Sequence, residues 1–200
     1  MKLHTSLLLA GSLLASNLAS AEVLDLNFSD SSFRVNYAGP LSSFTRVATG
    51  QYDVGVLYKR KEDGGVRPED LNAGVAHIGV LATGDAAAQG FKAAAGLGAR
   101  LVGLRRDKEN GGAVAIGGQF AARMPGFERL GLSGYGYFAP TVTTFGEFER
   151  YNEAAISLDF EVVKQAYGYV GYRYLGLPFD GVNGGSKAES APHVGIRLQF

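Results

Sequence analysis

Polar and apolar residues alternate along most of this chain with a period of two, the pattern of a strand whose two faces meet unlike surroundings. Leu24, Leu26 and Phe28 alternate with Val23, Asp25 and Asn27. After the turn-forming run Ser29-Asp30-Ser31-Ser32 the pattern resumes, with Phe33, Val35 and Tyr37 set against Arg34 and Asn36. Its clearest stretch sets Tyr52, Val54, Val56 and Tyr58 against Gln51, Asp53, Gly55 and Lys59, with Leu57 as the one apolar residue on the second face. An apolar face with aromatic residues at both ends matches a strand that crosses a bilayer with its rings at the two interfaces. Further strands are expected near 71–82, 91–105, 112–121, 129–138, 152–163, 167–176 and 191–200. The count is then about ten, and the fold class an all-β, closed antiparallel transmembrane β-barrel.

The connections support an even count. Lys59 to Gly65 and Arg105 to Asn110 are charged stretches, whereas Val163 to Tyr167 is tight. Barrels of this kind carry long loops outside and short turns on the periplasmic side, so both charged stretches fall outside if both termini are periplasmic. Two places fit less well. The connection from Ala38 to Gly50 is long for a periplasmic turn and leaves room for part of a strand around Phe44. The stretch 82–99 is so rich in alanine that a helix is an alternative there, and an eight-stranded barrel is the alternative count.

Composition changes the picture in three ways. With 29 glycines in 200 residues, helices would pay heavily, whereas strands tolerate glycine where side chains crowd a lumen. The chain has no cysteine, which excludes a disulfide framework and thiolate chemistry. Lys2, the apolar run of Leu7, Leu8, Leu9, Ala10, Leu13 and Leu14, and the small residues Ala19-Ser20-Ala21 form an export signal cleaved after Ala21. The expected domains are therefore a signal peptide over 1–21 and a barrel over 22–200. Without Lys2 the chain carries one acidic residue in excess and no basic stripe, so nucleic acid is not an expected partner.

The chain end carries the most specific short signal. His193-Val194-Gly195-Ile196-Arg197-Leu198-Gln199-Phe200 places apolar residues at 194, 196, 198 and 200. His193, Gly195, Leu198 and Phe200 sit where the assembly machinery of outer membranes reads a polar residue, a glycine, an apolar residue and a terminal aromatic. Such a strand pairs by edge addition before the barrel closes. The chain also resembles the YfaZ family of predicted outer-membrane proteins, on Leu26-Asn27-Phe28-Ser29-Asp30-Ser31-Ser32-Phe33-Arg34, Tyr137-Phe138-Ala139-Pro140 and Tyr169-Val170-Gly171-Tyr172-Arg173. The resemblance implies an outer-membrane location and carries over no catalytic residue.

Alternation also nominates lumen residues. Asp159 and Glu161 point inward on one strand and Arg173 on the next, and Arg197 points inward on the last. Pairing around the 164–166 turn would set Asp159 opposite Gly171, with Arg173 one diagonal step away. A lumen charge cluster of Asp159, Glu161, Arg173 and Arg197 is the expectation: mutually paired filling, or a narrow two-signed path. Arg60, Lys61, Arg67, Arg105, Arg106 and Lys108 are candidates to meet lipopolysaccharide phosphates, though Asp and Glu beside them favour solvated loops.

No enzyme is expected. After processing only His77 and His193 remain, Ser133 in Gly-Leu-Ser-Gly-Tyr misses the nucleophile-elbow pattern, and Gly96-Leu97-Gly98-Ala99 lacks the last glycine of a dinucleotide loop. Two histidines and no cysteine predict no metal and no cofactor. The leading reading is an outer-membrane barrel of structural or narrow-channel type, in contact with outer-membrane lipid, lipopolysaccharide and the assembly machinery. The alternatives are a lipid-modifying enzyme using His77 and a soluble periplasmic ligand-binding barrel.

Overall fold

The computed structural model describes residues 21–45, 50–60, 72–86, 92–106, 109–178 and 187–200. Residues 1–20 of the expected signal peptide and parts of the charged loops, with Lys61, Arg67 and Lys108, lie outside them. The strands are β1 (Val23–Phe28), β2 (Ser32–Pro40), β3 (Gln51–Lys59), β4 (Ala73–Asp85), β5 (Lys92–Arg106), β6 (Glu109–Met124), β7 (Phe127–Ala139), β8 (Thr144–Gly146), β9 (Tyr151–Val163), β10 (Ala166–Gly176) and β11 (Lys187–Gln199). Ten of them form a closed antiparallel barrel, because β5 pairs with β6 and β1 pairs with β11. Closure leaves no edge strand to be covered. The three-residue β8 pairs with Gly111–Ala113 of β6, where β7 has already ended.

The seam is made by the two chain ends. Leu24 pairs with Leu198 and Phe28 with Val194, and the backbones of Glu22 and Phe200 exchange hydrogen bonds of 3.2 and 3.0 Å. This marks one end of the barrel, called inner here; β1 runs from it toward the outer end.

Alternation decides the two surfaces. Val54, Val56, Ile78, Val80, Leu101, Ile116, Ile156, Leu158, Val170, Val194 and Ile196 all stand exposed on the outside wall. In water such a belt would be a very large apolar patch, whereas in hydrocarbon it is the required surface. The strands β4 to β7 hold 13 to 16 residues, long enough to cross a bilayer when tilted.

Three expectations need correction. The ten-strand count holds, so the eight-stranded alternative falls. Phe44 belongs to no strand: Leu41–Ser43 form a short 3-10 turn, and the Phe44 ring packs on Tyr52 at 5.1 Å. The described part of 82–99 is strand rather than helix, because Thr83, Gly84 and Asp85 pair with Gly96, Ala95 and Ala94. Sheet hydrogen bonds across that hairpin outweigh the local helix preference of alanine.

Candidate functional site

Inward-facing side chains divide the lumen along its axis. At the outer end Leu57, Val75, Val102, Leu104 and Leu175 pack into one apolar cluster. Two residues outside the barrel strands, Phe148 and Leu177, join it. The chain reaches back over the outer mouth to place them: the Glu149 N–H donates to the Pro178 carbonyl at 3.1 Å, and β8 lies along β6. A side chain on Gly111 would strike the Phe148 ring at 2.6 Å, so glycine there admits the plug. Leu57, the exception in the alternation of β3, belongs to this cluster.

Beneath the plug a layer of charges of alternating sign crosses the lumen. Asp53 on β3 accepts Arg100 Nη2 at 2.5 Å and lies 3.0 Å from His77 Nε2. The Asn36 Oδ1 is 3.1 Å from the same ring nitrogen, and two acceptors at one nitrogen place the proton there. Glu153 on β9 pairs with Arg34 Nη1 at 3.0 Å and accepts from Tyr135 at 2.8 Å and Tyr151 at 2.5 Å. Arg100 bridges the two halves, with Nη1 3.8 Å from Glu153 and its guanidinium 3.6 Å above the Tyr137 ring. All four charged side chains are at most 7% exposed. Burial of this depth is tolerable because each carboxylate meets a guanidinium and further donors.

A second network locks the seam. Arg173, 1% exposed, pairs with Glu189 Oε1 at 2.9 Å and donates to Asn27 Oδ1 and Ser32 Oγ, both at 2.6 Å. Glu189 also accepts from Ser29 at 2.8 Å and Ser32 at 2.6 Å. One guanidinium thus ties β10 and β11 to β1 and to the start of β2. A third network lies nearer the inner end, where Arg197 Nε meets Asp25 Oδ2 at 2.9 Å and Tyr169 donates to Asp25 Oδ1 at 2.5 Å. Arg123 pairs with Asp159, whose other oxygen is 3.9 Å from Arg197.

The expected cluster of Asp159, Glu161, Arg173 and Arg197 therefore does not form as one unit. Asp159 and Arg197 come together, while Arg173 belongs to the seam network. Glu161 sits at the turn, accepting the Gln165 backbone N–H at 3.2 Å. Register is the reason: Lys164-Gln165 is a two-residue turn with Gln165 at φ 67°, followed by a shift between Ala166 and Tyr167. Asp159 is set opposite Tyr169 rather than Gly171, and Arg173 opposite Ala155. Four residues of strand, about 13 Å, then separate Arg173 from the position facing Asp159.

The chain-end residues have mixed placements. Leu198 pairs with Leu24 and Phe200 is 61% exposed, as an outward aromatic terminus requires. Gly195 faces Tyr169, whose ring would occupy the space of any side chain there. His193 is buried inside, 3.2 Å from Ser157 Oγ through Nε2, with no partner at Nδ1. A side chain on Gly171 would lie 2.5 Å from Ser157 Oγ and 2.7 Å from His193 Nε2, so that glycine makes room for the pair. A serine and histidine without a carboxylate at Nδ1 lack the group that orients and charges the base. His77 is likewise inside, held by Asp53 and Asn36 and turned away from the lipid-facing wall.

Of the loop cations, Arg60 and Arg105 are exposed. Arg106 is not one of them: it is buried and donates to the Leu177 carbonyl at 3.2 Å, so it supports the plug. Among the described residues no group of three or more His, Cys, Asp or Glu is placed to hold a metal ion. Sequence reasoning missed Arg34, Asp53, Arg100, Arg123, Glu153 and Glu189 as network members. Their signal was the same alternation that nominated Asp159, applied to every strand.

Below the charged layer lies a cavity of about 180 Å³, lined by residues of the inner half from Asp25 and Gln51 to Arg197 and Gln199. The inward-facing Val23, Gln119, Arg197 and Gln199 at that end keep partial solvent contact, whereas Ala113, Ala115 and Ala139 above have none.

Comparison with known proteins gives three findings. The family model described as YfaZ precursor matches residues 68–200. Comparison with curated proteins returns no match. Among solved structures, outer membrane phospholipase A from Escherichia coli is similar at 10% identity, covering 94% of this chain and 97% of that one with a TM-score of 0.45.

Proposed function

Because the chain belongs to the YfaZ family and forms an outer-membrane-type barrel, we propose that it is exported by its amino-terminal signal to the outer membrane and serves there as a closed, structural barrel. One observation carries this: the outer half of the lumen is filled, with Leu175, Leu177, Tyr151 and Ala139 at 0% exposure. An ion path would need polar groups or water along its length. Here an apolar plug sits on a layer in which every charged group has a counter-charge, so neither water nor an ion has a continuous route through the described residues.

The apolar outer wall argues against a water-soluble periplasmic barrel. The placement of His77 inside the lumen, with its proton donated to Asp53 or Asn36, argues against its use on lipid. The partners that remain are outer-membrane lipid, lipopolysaccharide near the exposed Arg60 and Arg105, and the assembly machinery reading the strand that ends at Phe200.

The experiment is planar-bilayer recording with protein purified from outer membranes. A closed barrel gives no conductance steps above the protein-free baseline. Steady, ohmic steps that scale with protein added would overturn the proposal in favour of a narrow channel.

A further inference from the structure

The cavity in the inner half has a construction that the closed-barrel reading does not use. Register brings small inward residues into one row across adjacent strands: Ala94 faces Ala121, Ala121 faces Ser133, and Ser133 faces Ser157. Four such residues side by side leave the wall without bulk, and the space of about 180 Å³ opens in front of them. A volume of that size exceeds what one water molecule fills.

Its ceiling is the charged layer, presented unevenly. Arg34 and Arg100 line the cavity, and Arg197 lines its side, whereas Asp53, Glu153 and Asp159 stand behind them and do not. Asp25 is the one carboxylate on the lining, and it is already engaged by Arg197 and Tyr169. The Arg100 side chain is 2% exposed, yet its Nε and Nη1 have no hydrogen-bond partner. Thr83 Oγ1, buried on the same lining, has none either. Buried donors left unpaired cost free energy, and a guanidinium N–H makes a charge-assisted hydrogen bond to a carboxylate or phosphate oxygen.

We propose that the inner half of the lumen is a binding site for a small hydroxylated anion, which enters from the end where the chain termini meet. An oxygen of the anionic group accepts from an Arg100 guanidinium N–H that has no hydrogen-bond partner in the charged layer, and the hydroxyls meet Thr83 and the wall serines. The site adds a dead-end pocket to the closed barrel and no path through it.

Isothermal titration of the full mature chain in detergent micelles tests this, with glycerate, inorganic phosphate and uncharged glycerol as probes. Glycerate and phosphate should bind at one site per barrel, and glycerol at the same concentration should give no heat. Ala121→Leu fills the cavity without touching an ion pair and should abolish binding. Thr83→Val removes a hydroxyl that has no partner, so the fold should be kept while glycerate binds at least about threefold more weakly. No binding by either anion, equal binding of glycerol, or full affinity in folded Thr83→Val would each overturn the proposal, as would full affinity in folded Ala121→Leu.

Discussion

In the outer half of the lumen Val75, Val102, Leu104 and Leu175 interlock and leave Ala113 and Ala115 without solvent contact. In the inner half Ala94, Ala121, Ser133 and Ser157 hold the equivalent inward positions and leave a cavity. The strands are the same ones; β6 and β9 contribute to both halves. What differs is side-chain volume summed over neighbouring strands. A row with large aliphatic residues closes to crystal-like density, and a row of alanines and serines cannot. The charged layer stands at the boundary, where polar pairs bridge the span.

The largest expected effect is at the seam, which both halves depend on. Arg173→Ala leaves Glu189 buried without its counter-charge and frees Asn27 and Ser32, for a loss of about 3–5 kcal/mol. Urea titration of the folded barrel in micelles should show a clearly lower midpoint, and an unchanged midpoint would mean that the seam network contributes little. Next comes the outer half, where Leu175→Ala, at a residue with no exposure, should cost about 2–4 kcal/mol through lost contacts and a new void. The smallest effect belongs to the inner half: Ser133→Ala removes a single 3.4 Å contact with Arg197 beside existing space, and should shift stability by less than about 1 kcal/mol. If Ser133→Ala lowers the urea midpoint as far as Leu175→Ala does, the contrast between a packed and an open half is lost.

How far the residues themselves foretold this varies with the kind of statement. The facing of Asp159, Arg173 and Arg197 was legible, because a strand allows only two directions. Their grouping was not, since it turned on a turn one residue shorter than expected and a further shift between Ala166 and Tyr167, which together moved Arg173 away from Asp159. The Arg34–Glu153 pair joins residues far apart in the chain on β2 and β9, and no local pattern announces it. Leu57 was visible only as an irregularity, and Arg106 only as one more loop cation. Each acquired its meaning from neighbours brought in by other strands.

Alternation along single strands determined that this chain is built of strands with one lipid-facing and one inward face, because the period of two is a property of each strand alone. Tertiary structure decided which inward residues meet, which half is filled and which guanidinium N–H stays without a hydrogen bond. Those outcomes depend on register and on distances across the lumen, and a shift of two residues at one turn rearranges them while leaving every inward residue inward.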